Sequence, residues 1–230
     1  MNICKQLNIL KRWQLCCLLF FVFGCNSQKE KIKFSNSKTD STIENERVNL
    51  ALHQIYKIRS SVHSADLILR TGKDYTSQLM RNLSLHDKTY SHSGIASWEN
   101  DTLFVYHALG GEWNPKQKLR RDPFEIFCNP YENRGFGVYR YRINKLQEEN
   151  IISLSKKLYA MGIIFDMKFD LLTDDKMYCS EFVYKTIKRA TSDSINFNTT
   201  TLNHINFVAV DNLFINPFCE KIKRISFAKQ

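Results

Sequence analysis

No internal repeat runs through the 230 residues, so the chain is not an array of small stacked units. No CxxC or HExxH pattern is present, which removes the commonest sequence signatures of a zinc site. No apolar run reaches the about 20 residues that a helix needs to cross a bilayer. Lys and Arg outnumber Asp and Glu by 33 to 23, a net charge of +10, yet no nucleic-acid-binding motif accompanies them. The basic residues are scattered, and a solvated basic surface explains them better than a nucleic-acid partner. What is present argues for a folded protein. Hydrophobic residues make up 43% and aromatics 13%, too much for global disorder and enough for one domain with a full core, or a domain plus a tail.

Residues 1–24 read as an export signal, with Lys5, Lys11 and Arg12 ahead of the apolar run Cys16–Phe23. Without those three cations the remaining charge is about +7. The run ends in Val22-Phe23-Gly24-Cys25 and turns polar at once, which resembles a bacterial lipoprotein signal. That resemblance implies a lipidated Cys25 as the mature N-terminus, held extracytoplasmically at a membrane, on the periplasmic side or the cell surface. Residues 25–45, rich in Ser, Lys, Thr and Asn, read as a flexible linker, and 46–230 as the functional domain. Of the seven cysteines, Cys128, Cys179 and Cys219 then remain, an odd number for an oxidising compartment. Pairing Cys128 with Cys219 is the arithmetic that leaves Cys179 free, although spacing does not establish proximity.

The spacing of Val48, Leu52, Ile55 and Tyr56 predicts a helix over 46–62, and Asp66–Arg70 a short strand. Residues 90–97 and 102–108 read as a hairpin with its tip at Glu99-Asn100. That register sets His92 directly opposite His107, on one face with Gly94, Ala96, Leu103 and Val105. The Pro-rich segment 110–133 is expected to be irregular, a lid or a packed loop. A strand follows over 135–142, then a helix capped by Asn144, with Gln147 at the capping-box position and Gly162 as terminator. Residues 163–169 and 207–210 look like further strands, and the last residues like a polar tail. Helices before and between locally paired strands make the fold class α+β, an antiparallel sheet with helices packed on it.

One segment concentrates the chemistry. On a helix, Met177–Ala190 places Cys179, Phe182, Val183, Thr186, Ile187 and Ala190 on one inward stripe. Cys179 stands first, where free amide N–H groups and the helix dipole favour a thiolate and an oxyanion. A cysteine there is as readily the end of a core stripe; a nearby base decides. His92 and His107 on adjacent strands supply a base and its orienting partner. The same three residues could form a three-ligand metal site with an open position, which no motif supports. Glu181 is expected to face outward and pair with Lys185.

Tyr90-Ser91-His92-Ser93-Gly94-Ile95 and Tyr178-Cys179-Ser180-Glu181-Phe182-Val183 resemble the two signatures of the circularly permuted papain-like amidases. These are the YiiX/YebB-like group, kin to NlpC-type peptidases and to lecithin retinol acyltransferase. The order, histidine first and cysteine last, fits as well. The resemblance spans about residues 60–215 and implies a permuted papain-like fold. It also implies Cys179 as nucleophile, His92 as base and His107 in the third position, where many relatives carry Glu. The implied activity is hydrolysis of an amide bond through an acyl-thioester, without a cofactor or a metal. In an extracytoplasmic, membrane-held setting the expected substrate is a cell-wall peptide, a lipid or an N-acyl compound. Acyl transfer, or a non-catalytic lipoprotein that binds peptide or glycan, are the alternatives.

Overall fold

A computed structural model describes residues 40–111 and 114–227. The signal segment, Cys25 and most of the expected linker lie outside the described residues. Six strands form one antiparallel sheet in the order β4-β3-β2-β1-β5-β8. They are β1 (Leu67–Gly72), β2 (His92–Glu99), β3 (Thr102–His107), β4 (Arg120–Pro123), β5 (Asn133–Tyr141) and β8 (Cys219–Ser226). A separate hairpin joins β6 (Thr200–Leu202) to β7 (Ile205–Phe207). The α+β expectation therefore holds. No helix among the described residues is long and apolar enough to cross a membrane.

The two faces of the sheet carry separate cores. On one, Leu67, Leu69, Ile95, Tyr106, Tyr139 and Tyr141 pack under helices α4 (Lys145–Met161) and α5 (Cys179–Ala190). On the other, Ile68, Ala96, Leu103, Val105, Phe136 and Val138 meet α1 (Asp40–Arg59) and the short α3 (Phe124–Phe127). Strand alternation produces this division, because neighbouring side chains point to opposite faces. Between β1 and β2, α2 (Tyr75–Asn82) is capped by the Asp74 carboxylate. α4 starts on the expected Asn144–Gln147 capping box and stops at Gly162, whose φ of +69° suits glycine.

Several sequence expectations are corrected. α1 begins by Asp40, so residues 40–45, read as linker, are helical. The hairpin turns at Asn100-Asp101, with Glu99 opposite Thr102. Both turn residues have positive φ, 45° and 63°, which Asn and Asp tolerate better than Glu would. The register is thus shifted by two residues, which preserves the faces but sets His107 opposite Gly94, diagonal to His92. The segment 110–133 is not a free lid. It carries edge strand β4 and α3, and Leu119 donates to the Ile163 carbonyl at 2.8 Å. Residues 163–169 form no strand; Ile164 makes only isolated bridges to Lys118 and Lys176. The run 207–210 ends β7 and leads into a short α6 (Val210–Phe214), while the polar tail is edge strand β8. Cys128 and Cys219 are both free thiols, because Cys128 is buried in one core and Cys219 packs against the other, across the sheet.

Candidate active site

α5 begins at Cys179 because the preceding residue is built as its cap. Tyr178 is extended, and its N–H donates to Glu181 in the first helical turn at 3.2 Å. The Tyr178 hydroxyl accepts the Val208 N–H at 2.8 Å, and the Ser180 hydroxyl donates to the Val208 carbonyl at 2.7 Å. These bonds pin the first turn to the chain entering α6. The expected stripe holds the rest: Phe182, Val183 and Ile187 are fully buried, each worth roughly 1.5–3 kcal/mol of apolar burial. Glu181 does pair with Lys185, at 2.7 Å, but both side chains are buried rather than outward. Burial pushes the Glu181 carboxyl up to about 7.

Cys179 itself is only 6% exposed. Burial pushes its thiol above the ordinary value, against the backbone N–H and hydroxyl of Ser93, the N–H of Ser180 and the charge of Arg70, which all lower it. The Ser93 hydroxyl is buried and has no other hydrogen-bond partner among the described residues. Helix start and donors therefore favour the thiolate as anticipated, but in the resting molecule desolvation wins and sulfur keeps its proton.

The histidines form one hydrogen-bonded relay. His92 Nε2 and His107 Nδ1 are 2.9 Å apart, and His107 Nε2 lies 3.0 Å from Asp122 Oδ2. Arg120 closes the far end on Asp122 at 2.8 Å. Despite partial burial, hydrogen bonds from His107 and Arg120 hold the Asp122 carboxyl down to about 2. An ionised carboxylate only accepts, so His107 carries its proton on Nε2 and accepts at Nδ1. His92 must then donate from Nε2, which leaves His92 Nδ1 as the free basic nitrogen. Burial pulls the His107 imidazole down to about 4, against its bond to Asp122, and pulls His92 well below its usual value. Both rings are neutral near pH 7.

Sterics fix this relay. A Cβ on Gly94 would lie 2.5 Å from Val105 Cγ1, 2.8 Å from the Tyr106 carbonyl oxygen and 3.1 Å from His107 Cβ, so glycine lets β3 bring His107 close. Phe127 supports the group from α3, with its ring centroid 5.6 Å from that of His92 and 5.0 Å from that of His107. The guanidinium of Arg70, opposite His92 in the β1–β2 register, lies over the same Phe127 ring at 4.8 Å. Among the described residues the Arg70 side chain hydrogen-bonds only to the Phe127 carbonyl, at 3.1 Å.

The structure thus brings His92 and His107 together and puts Cys179 beside Ser93, the next residue after His92. No hydrogen bond among the described residues joins the Cys179 sulfur to either imidazole. Ser93, Arg70 and Asp122 were not singled out from the sequence. The alternation of β2 could have found Ser93, since it must face away from His92 and toward α5. Asp122, in Arg120-Arg121-Asp122-Pro123, gave no strand signal. The residues also do not present a metal donor set: the two histidines are turned on each other at hydrogen-bond distance. No group of three or more His, Cys, Asp or Glu among the described residues is arranged to hold an ion.

Comparison with known proteins gives a family and a fold. The family model described as permuted papain-like amidase enzyme, YaeF/YiiX, C92 family, matches residues 61–211, a span that includes His92, His107 and Cys179. The crystal structure of metalloprotein YiiX from Escherichia coli O157:H7 superposes with a TM-score of 0.59 at 18% identity. The alignment covers 71% of this chain and 98% of that one, and at such identity it shows a shared fold. No curated protein matches the sequence.

Proposed function

Since the chain belongs to the permuted papain-like amidase family, we propose that it is a membrane-anchored cysteine hydrolase. In this reading it cleaves an amide bond through an acyl-thioester, using Cys179, His92 and His107 with Asp122 behind them. The observation that carries the reading is the ordered relay Asp122–His107–His92, which leaves one basic nitrogen, His92 Nδ1, at the strand end that meets the cysteine helix.

The chemistry follows from the protonation states. With sulfur and imidazole both neutral at rest, the Cys179 proton passes to His92 Nδ1 as sulfur attacks the carbonyl carbon, so no resting ion pair is needed. The imidazolium formed at His92 is supported through His107 by the Asp122 carboxylate. The carbonyl oxygen becomes an oxyanion, which the Ser93 hydroxyl and the N–H groups at the start of α5 are suited to receive. Collapse breaks the C–N bond, and the departing amine takes the proton from His92. Water, deprotonated by His92, then releases the acid and restores the thiol.

Anchoring through Cys25 sets the substrate class: a cell-wall peptide, or a lipid or amino acid bearing an N-acyl group, outside the cytoplasm. Acyl transfer differs only in the final acceptor. The buried thiol, unbonded to imidazole, favours the competing reading of a non-catalytic lipoprotein. Incubation of wild type and Cys179→Ala with cell-wall peptides and N-acyl amides separates them: the hydrolase releases product and a thioester trapped on Cys179 appears in the intact mass. Equal product from both proteins, or none from either, would remove the catalytic reading.

A further inference from the structure

A second gathering of charge lies outside the relay, at the sheet end where β1 and β8 finish and β5 starts. A cavity of about 710 Å³ opens there, lined by six cationic side chains: Arg47, Lys73, Arg81, Lys88, Arg134 and Arg224. They come from distant parts of the sequence, so the fold gathers them. Two carboxylates answer them from the side, Glu44 to Arg47 at 2.6 Å and Lys73 at 3.8 Å, and Asp87 to Arg224 at 3.2 Å. No carboxylate lines the cavity itself among the described residues. Among the described residues Arg81, Lys88 and Arg134 have no ion pair, and the Nε of Arg81 is buried without a hydrogen-bond partner. Burial and then the charge of Arg47 lower the Lys73 ammonium below its usual value, and Arg134 acts the same way despite Glu44.

Like charges brought around one space repel unless an anion occupies it. Four of the six are arginines, whose planar forks suit a tetrahedral polyanion with several acceptor oxygens, and the excess of cations suits more than one negative charge. We propose that this cavity is a binding site for a phosphate-bearing ligand, separate from the thiol and independent of the proposed hydrolysis. Ile225 and Phe227 give the cavity an apolar flank, so the phosphate belongs either to a soluble compound or to a lipid headgroup.

Equilibrium binding of the full chain in neutral detergent micelles tests this, with inorganic pyrophosphate as one probe and micelles containing phosphatidylglycerol as the other. Arg134→Glu and Lys88→Glu change exposed cavity residues. Lys157→Glu, on the exposed side of α4, makes the same charge change elsewhere. The expected result is saturable binding, weakened about tenfold or more by each cavity variant and within about twofold by Lys157→Glu. Binding of pyrophosphate with this pattern assigns a soluble phosphate compound, and binding of phosphatidylglycerol alone assigns a headgroup. Equal weakening by all three variants, or no saturable binding of either probe, overturns the proposal.

Discussion

The two faces of the sheet are built on different principles, and they meet at one dipeptide. The α1 and α3 face holds a polar relay, Asp122–His107–His92, fixed by hydrogen bonds and an aromatic ring inside an apolar shell. The α4 and α5 face holds a single thiol, aimed by a helix start and a hydrophobic stripe. His92 and Ser93 are neighbours on β2 that point to opposite faces, one toward the relay and one toward the sulfur. Base and nucleophile are therefore held by independent structures and joined at the end of a strand. A change on one face should alter chemistry without loosening the other.

The largest expected effect is on the sulfur side. Cys179→Ala should remove turnover altogether while leaving the melting temperature nearly unchanged, as calorimetry and product assay together would record. On the relay side, His92→Ala should lower kcat/KM by about 10³-fold, within the range of general acid–base catalysis. Asp122→Asn sharpens the comparison, because it keeps the shape but no longer fixes the tautomer. A loss of about 10²-fold in kcat with KM little changed is expected. Equal activity would mean that the relay is structural.

Gly94→Ala tests the packing that joins the two histidine strands. The added methyl meets Val105 and the Tyr106 carbonyl, so a loss of about 1–3 kcal/mol in denaturant unfolding is expected. A last test is the pH dependence of stability. His107 titrates at about 4 in the folded protein, below its unfolded value near 6.5, so the folded state resists the proton. Its contribution is complete above 6.5 and is lost as pH falls toward 4. Unfolding followed between pH 7 and 4 should show this decline, reduced in His107→Gln.

Much of the relay was legible in the sequence and part was not, for physical reasons. His92 and His107 could be placed on one face because the face depends only on parity. The shift of the turn from Glu99-Asn100 to Asn100-Asp101 moved the register by two and kept that parity. The Cys179 helix was readable from its stripe, and α4 from its capping residues. Asp122 was not, because β4 is an edge strand made of Arg-Arg-Asp-Pro, held by pairing with β3 rather than by any hydrophobic alternation. β8 escaped for a similar reason: its apolar residues Cys219, Ile222 and Ile225 recur every three positions, and β8 carries a bulge at Ile222, which is skipped in the pairing with β5. The burial of Glu181 was hidden because a carboxylate and a lysine at i,i+4 look the same on either side of a helix.

The central claim, that the Cys179 thiol works with the His92 imidazole, has one direct measurement. Iodoacetamide alkylation of the folded protein, followed site by site by mass spectrometry at pH 7.5, compares wild type with His92→Ala. The account predicts that Cys179 is alkylated at least about tenfold faster in wild type, through proton transfer to His92, while Cys128, buried on the opposite face, stays unmodified in both. Equal rates at Cys179 in the two proteins would contradict it.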